Sequence, residues 1–388
     1  MHSPLKLLGL RLILVLMSIG FFFGCGEITL RVLYAKYEAE GGNLEERLRQ
    51  SQRRDLGEQG GEYNMSGLVQ PSLFSNIVYE LKPNLSGRFR DKTFRSSSLG
   101  IRDKEYSMEK PKQTYRIMGI GDSVMFGWGV HQGEAYLDLL EDRLNALEGD
   151  PRTFETFNFA LPGYNTTMEV ATLEHRAMAY QPDLIIIQFV NNDLGVPLFM
   201  QRPKDPATMR KSYFYEFLKT RIGWIQADRN PLIGNQLKGL EDAERAKTLK
   251  RYAHMVGPSG YRNATDRLGA LAKEKECPVI LLLGSASPDQ QKLIDDVVAK
   301  HGFHPLRIKP YSDAWVKQEG IENTKAARRK ALWVSDTDHH PNQHGHRIYA
   351  DGLMHKLLEM GIIDYHPDQM PWVRPDEPAS QPPPRPLS

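Results

Sequence analysis

Residues 115–129 read YRIMGIGDSVMFGWG, and this stretch decides the interpretation of the fold. Residues 115–120 are largely apolar and predict a short buried strand. Gly121 and Asp122 then predict a tight turn, and Ser123 lies on that turn ahead of a patterned segment that predicts a helix. Strand, turn and helix together therefore hold a serine at the end of a strand.

Outward from this stretch, strand and helix patterns alternate along most of the chain. We predict strands at residues 115–120, 154–159, 184–190 and 278–284, and helices at residues 134–148, 168–180, 265–275, about 293–298 and about 343–360. Residues 184–190 are almost wholly apolar, which is typical of a parallel strand covered on both faces. The alternation predicts a mainly parallel sheet with helices on both sides, a three-layer α/β/α sandwich.

The N-terminal segment predicts attachment to a membrane. Residues 7–26 carry one charge, Arg11, and twenty helical residues reach about 30 Å, enough to cross a bilayer. We expect a retained signal anchor, a transmembrane helix within residues 1–34. The alternatives are a cleaved signal peptide, a lipoprotein signal modified at Cys25, and a buried core helix. A retained anchor would place the catalytic domain outside the cytoplasm, on the periplasmic or extracellular side.

The remaining chain divides by composition. We expect a charged linker at residues 35–70, a lead-in segment packing on the core at 71–114, and the sandwich at 115–362. An insertion at about 198–255 breaks the rhythm of the sandwich. The proline-rich residues 363–388 are expected to be disordered.

Charge and cysteine content exclude some classes of function. The net charge is +2, from 50 Lys and Arg against 48 Asp and Glu, and this balance gives no support for a nucleic-acid partner. The two cysteines, Cys25 and Cys277, cannot build a metal site. His339, His344 and His346 cluster in sequence without a matching set of carboxylates or cysteines, so we interpret them as surface residues. No metal or cofactor is expected.

Four segments that could carry chemistry fall at the predicted ends of strands or before the last helix. They are residues 121–123, 158–165, 191–193 and 338–342. Each alone is commonly a turn, a helix cap or a loop. Together they are significant, because ligands bind at the carboxyl ends of parallel strands. A serine becomes a nucleophile only when a base takes its proton, and residues 338–342 (DHHPN) supply candidate histidines.

These segments resemble the sequence blocks of the SGNH branch of the GDSL esterase/lipase superfamily. The resemblance covers about residues 115–360 and implies an SGNH or flavodoxin-like sandwich. It implies that Ser123 is the nucleophile and His340 the base. The backbone N–H groups of Ser123 and Gly163 and the side-chain amide of Asn192 would form the oxyanion hole. The preceding residues 82–84 and 99–102 resemble the lead-in of membrane-anchored bacterial members.

The chain departs from the family pattern at two places. Val190 stands where the family has a glycine two residues before the asparagine, and we expect its side chain to narrow the site. The family often has an aspartate three residues before the histidine, where this chain has Thr337. We predict that Asp338 orients His340 and hold Asp336 as the alternative.

The resemblance implies cleavage of acyl esters, most often acetyl, through a covalent ester on Ser123. Carbohydrate or a cell-envelope polysaccharide is the expected substrate, an inference from location and fold analogy alone. An O-acyltransferase for an exported polysaccharide is the alternative, since it uses the same triad. A second alternative is a catalytically silent binding or assembly protein with this fold. The sequence does not indicate protein partners.

Overall fold

The computed structural model describes residues 14–32 except 16 and 19, residues 59–201, and residues 232–364 except 239. The chain divides into two units, residues 1–57 with 202–231, and residues 58–201 with 232–388. In the first unit, the described residues between 14 and 32 are helical. Across the described ranges, no helix is both long enough and apolar enough to cross a membrane. The predicted anchor also falls on residues 1–13, which lie outside the described residues, and it stays a prediction.

The second unit contains a sheet of five parallel strands, which are β6 (Thr114–Ile120), β7 (Thr153–Asn158), β8 (Leu184–Phe189), β11 (Val279–Leu283) and β12 (His304–Arg307). Their order across the sheet is β12-β11-β8-β6-β7. The prediction of a mainly parallel sheet is confirmed. The sequence reading missed β12, whose sequence HPLR contains Pro305. Proline is tolerated there because β12 is an edge strand.

Helices cover both faces of this sheet. They are α2 (Ser123–Phe126), α3 (Tyr136–Asn145), α4 (Thr166–His175), α5 (Asp242–Tyr252), α6 (Gly257–Glu274), α7 (Pro288–His301), α8 (Lys309–Gln318), α9 (Lys325–Leu332) and α10 (Gln343–Glu359), and the short α1 (Met65–Leu68) precedes them. On one face α3 packs against α10, and on the other α4 packs against α6. The side chains of β8 alternate between two hydrophobic clusters, with Ile186 in the first and Ile187 in the second. A strand buried on both sides explains the unbroken apolar run of β8.

The lead-in segment forms small sheets against the sandwich. Strand β4 (Ser86–Phe89) pairs with β1 (Gln59–Tyr63) and with β5 (Lys92–Arg95), while β2 (Val69–Pro71) pairs with β3 (Tyr79–Leu81). The predicted linker at 35–70 therefore ends earlier than expected, because residues 59–70 hold β1, α1 and the start of β2. The glycines of residues 59–70 are typical of a linker, but Gly61 lies in β1, where its backbone comes close to Gly87 of β4. A Cβ on Gly87 would lie 2.4 Å from the Gly61 carbonyl oxygen.

The predicted insertion is described only at its two ends. Strand β9 (Phe199–Gln201) pairs antiparallel with β10 (Leu232–Gly234), and α5 follows. Residues 202–231 lie outside the described residues. The predicted tail does so as well from residue 365 onward.

Candidate active site

Ser123 is the first residue of α2, directly after the turn that follows β6. Asp122 caps this short helix, with its Oδ1 accepting from the Val124 N–H at 3.1 Å. Gly127 ends the helix with φ +87°, a left-handed conformation that favours glycine. The local sequence thus presents the serine hydroxyl at the carboxyl end of the sheet, as predicted.

His340 connects Ser123 to Asp338. Its Nε2 lies 2.8 Å from Ser123 Oγ, and its Nδ1 lies 2.5 Å from Asp338 Oδ1. With the Nδ1–H donated to the carboxylate, Nε2 is free to accept the serine proton. Asp336 is exposed. The structure therefore brings together Ser123, His340 and Asp338, over a separation of 217 residues between serine and histidine.

The loop between α9 and α10 is closed by its own backbone. Val334 N–H donates to the His340 carbonyl at 2.9 Å, and Trp333 forms an antiparallel bridge with Pro341. The Asp338 N–H donates to Ser335 Oγ at 3.0 Å. This closed loop allows the side chains of Asp338 and His340, which are separated by one residue, to contact each other.

Asp338 is bonded on both carboxylate oxygens. Besides His340, its partners are the Trp128 indole Nε1, 2.9 Å from Oδ2, and Arg90 Nη2, 3.2 Å from Oδ2. Partial burial works to raise the pKa of Asp338, but the hydrogen bonds from His340 and Trp128 outweigh it and lower that pKa. The carboxylate is thus ionised and fixed in orientation. Neither Arg90 nor Trp128 was predicted as a site residue from the sequence.

Gly163 lies on a turn that needs glycine. Its φ is +77°, and a Cβ there would lie 2.2 Å from the Leu198 Cβ. The backbone conformation and the nearby Leu198 side chain are therefore enough to require glycine at position 163, without a substrate bound at its N–H. The neighbouring Leu161 N–H donates to the Gly121 carbonyl at 3.1 Å, which ties this turn to the serine turn.

Asn192 lies in a 3₁₀ turn after β8 with its side chain exposed. Its Nδ2 lies 3.3 Å from the Tyr164 carbonyl, next to Gly163. Val190, where the family has glycine, has φ −133°, an extended conformation that any residue adopts, so the replacement causes no backbone strain. The three predicted oxyanion residues thus lie on adjacent turns.

A buried acidic layer lies behind these turns, formed by Asp122, Glu169 and Asp193. Asp193 accepts from the Val190 N–H at 2.5 Å and from Thr166 Oγ1 at 2.9 Å. Glu169 is fully buried, and neither of its carboxyl oxygens has a hydrogen-bond partner among the residues that the structure describes. Burial, followed by repulsion from Asp193 and Asp122, raises the pKa of Glu169 well above its usual range.

The surface interpretation of the clustered histidines is wrong for His346. This side chain is fully buried between α10 and α3, where its Nδ1 accepts from the Tyr136 N–H at 3.2 Å. Burial lowers its pKa to about 3, so the ring is neutral. Among the described residues, no group of three or more His, Cys, Asp or Glu side chains is arranged to hold a metal ion.

Comparison with known proteins places part of the chain in a known family. The model of the GDSL-like Lipase/Acylhydrolase family matches residues 120–308, which contain Ser123, Gly163 and Asn192 but end before Asp338 and His340. Over residues 120–308 the chain carries a domain of the SGNH/GDSL hydrolase superfamily, and it is a serine esterase of that type, with acyl-ester hydrolysis as its class of reaction. No match is found among the curated proteins.

Several solved structures are similar at low identity. The psychrotrophic esterase EstA from Pseudoalteromonas sp. is 12% identical, with a TM-score of 0.37 over 64% of this chain and 99% of that chain. The acetylxylan esterase Axe2 from Geobacillus stearothermophilus is 14% identical, with a TM-score of 0.36 over 63% of this chain and 94% of that chain. A two-domain esterase active on acetylated mannans is 15% identical, with a TM-score of 0.37 over 65% of this chain and 52% of that chain.

Proposed function

We propose that the protein cleaves acetyl esters of carbohydrate through a covalent ester on Ser123 Oγ. The observation that carries this proposal is the continuous chain from Ser123 Oγ through both nitrogens of His340 to Asp338, at 2.8 and 2.5 Å. A nucleophile, its base and the group that orients the base are the parts that acyl transfer requires.

In the first half of the reaction, His340 Nε2 takes the Ser123 proton while Oγ bonds to the acyl carbon. The tetrahedral intermediate then breaks its bond to the alcohol oxygen, and the alcohol leaves with the proton from His340. In the second half, water loses a proton to His340 and attacks the acyl carbon. The bond from Oγ to the acyl carbon then breaks, and His340 returns the proton to Oγ, which releases the acid and restores Ser123. Water can reach the base, because the His340 side chain is 27% exposed.

The oxyanion of each intermediate would be held by three donors. They are the backbone N–H groups of Ser123 and Gly163 and the side-chain amide of Asn192. Such donors stabilise the transition state because charge develops on this oxygen only during reaction. Removing one commonly costs about 3 kcal/mol.

A polar cavity beside Asn192 supports a hydroxylated substrate. It has a volume of about 420 Å³ and is lined by Asn191, Ser285, Ala286, Ser287 and Gln290, beyond the carboxyl ends of β8 and β11. Four of these five side chains are uncharged hydroxyl or amide groups, which can donate to and accept from sugar hydroxyls. The volume lies within the range of small-molecule sites.

The same acyl-enzyme could instead be resolved by a sugar hydroxyl. The polar cavity would then hold the acceptor, and the protein would be an O-acyltransferase. A silent binding protein is the weaker alternative, because the three side chains needed for catalysis are present and hydrogen-bonded.

The test is turnover of 4-nitrophenyl acetate by the purified full chain and by Ser123→Ala. The substitution should abolish turnover, while Ser107→Ala, at an exposed serine away from the site, should leave it unchanged. Equal turnover by wild type and Ser123→Ala would refute the nucleophile. Adding neutral oligosaccharides and assaying them for acetylation by mass spectrometry then separates transfer from hydrolysis.

A further inference from the structure

Trp128 contacts both members of the His340–Asp338 pair. Its Nε1 donates to Asp338 Oδ2 at 2.9 Å, while His340 Nδ1 bonds the other oxygen, Oδ1. Its ring stacks on the His340 imidazole, with centroids 4.9 Å apart and planes 23° apart. One side chain thus restrains two groups that the proposed reaction needs.

Trp128 is held in turn by the β4–β5 hairpin. Phe89 meets its ring edge to face at 5.1 Å, and the Arg90 guanidinium carbon lies 4.5 Å from its centroid. Arg90 and Asp91 form the two-residue turn, both with positive φ as type I′ turns require. Arg90 also donates to Asp338 Oδ2 at 3.2 Å. The hairpin therefore aims a cation at the carboxylate.

We propose that Trp128 and Arg90 are positioning residues that orient the His340–Asp338 pair for proton transfer and disfavour a positive charge on His340. This inference rests on the proposed function. The Arg90 cation disfavours a second positive charge on His340. The Trp128 N–H donor withdraws negative charge from Asp338, which weakens the hold of the carboxylate on an imidazolium proton. Both effects extend the activity of the base to lower pH.

Other titratable groups also act on His340. Asp122, beside Ser123, and His346, on α10, both interact with it electrostatically. Asp336 and His339 are exposed in the same loop. The variants below leave all four unchanged, so differences between variants report on Trp128 and Arg90.

The experiment measures kcat/KM against pH for 4-nitrophenyl acetate in the full chain. Trp128→Phe keeps an aromatic ring but removes the donor, and Arg90→Gln removes the cation. The acid limb is the low-pH side of the profile, where kcat/KM falls as the pH is lowered. Each substitution should shift the midpoint of this limb to higher pH by about 0.3 to 1 pH unit, with KM little changed. Arg90→Lys should return the limb toward the wild-type position. The control is Arg88→Gln, an arginine of the same hairpin that pairs with Glu62 and Asp91 instead.

A purely structural role would lower the rate at every pH without moving the limb. The proposal is overturned if Trp128→Phe and Arg90→Gln keep the wild-type limb, or if Arg88→Gln moves it equally. Arg90 is 47% exposed at a turn, so its variants test the proposal even if Trp128→Phe does not fold. Failure of the proposed function is a separate result, seen as turnover that Ser123→Ala does not abolish.

Discussion

Asp338 and Glu169 both lie near the carboxyl ends of the parallel strands, yet their pKa values shift in opposite directions. Desolvation acts to raise the pKa of both carboxyl groups. Asp338 receives donors from His340, Trp128 and Arg90, and its pKa falls. Glu169 receives no hydrogen bond from the described part of the chain and faces two other acids, and its pKa rises. Depth of burial and hydrogen-bond donors together therefore decide which carboxyl is an ion and which holds its proton.

Asp122 and Asp193 lie between these extremes. Both are buried and both accept hydrogen bonds, but burial prevails and the pKa of each is raised. Their bonds go to backbone N–H groups of the serine turn and of the Asn192 turn. The buried acidic layer thus shapes the turns, while Asp338 acts on the base.

The largest expected effect comes from removing the charge of Asp338. Asp338→Asn should lower kcat by up to about 10⁴-fold, because an amide does not fix the imidazole tautomer or stabilise its cation. Asp336→Asn is the matched control and should keep activity within a few-fold. Steady-state kinetics on an acetyl ester decide between them, and a larger loss in Asp336→Asn would transfer the role to Asp336.

A smaller loss is expected at the oxyanion hole. Asn192→Ala should lower kcat by about 10² to 10³-fold with a lesser change in KM, because its donor acts on the transition state. Asn191→Ala, one residue earlier in the cavity lining, should change KM instead and leave kcat within tenfold. Similar kcat losses in both would show that the turn, and not the Asn192 amide, matters.

Glu169→Gln should affect stability rather than chemistry. Native Glu169 holds its proton above the pKa of 4.5 usual for the unfolded chain, so wild-type stability falls as pH rises from there toward the raised native pKa. Glutamine has no such titration. The free energy of unfolding of the variant should therefore rise relative to wild type by roughly 1 kcal/mol per pH unit over that window.

Denaturant unfolding at pH 5 and pH 7 measures this gain. The exposed Glu148→Gln is the control and should show no gain between the two pH values. A constant difference between Glu169→Gln and wild type would contradict the contrast drawn between Glu169 and Asp338.

The sequence was sufficient for features that depend on local pattern. The apolar run of β8 predicts a strand covered on both faces, and the turn after β6 predicts an accessible Ser123. The burial of His346 was not predictable from the polar residues next to it in sequence, because it depends on the packing of α3 against α10. Likewise, Arg90 and Asp338 are 248 residues apart, so only the folded chain shows their contact.

The lead-in segment gives the same lesson at larger scale. The glycines of residues 59–70 are as typical of a linker as of close-packed strands, and composition does not separate the two. Pairing of β1 with β4 resolves the choice, and that pairing supports the hairpin that carries Arg90.

The most direct test of the central claim is to locate the covalent adduct formed by a fluorophosphonate, which reacts with activated serines. Peptide mapping by mass spectrometry should place the adduct on Ser123 in the full chain. His340→Ala should form it at least a hundredfold more slowly, while His339→Ala should form it at a rate near that of wild type. An adduct on another serine, or equal labelling of Ser123 in His340→Ala, would contradict the account.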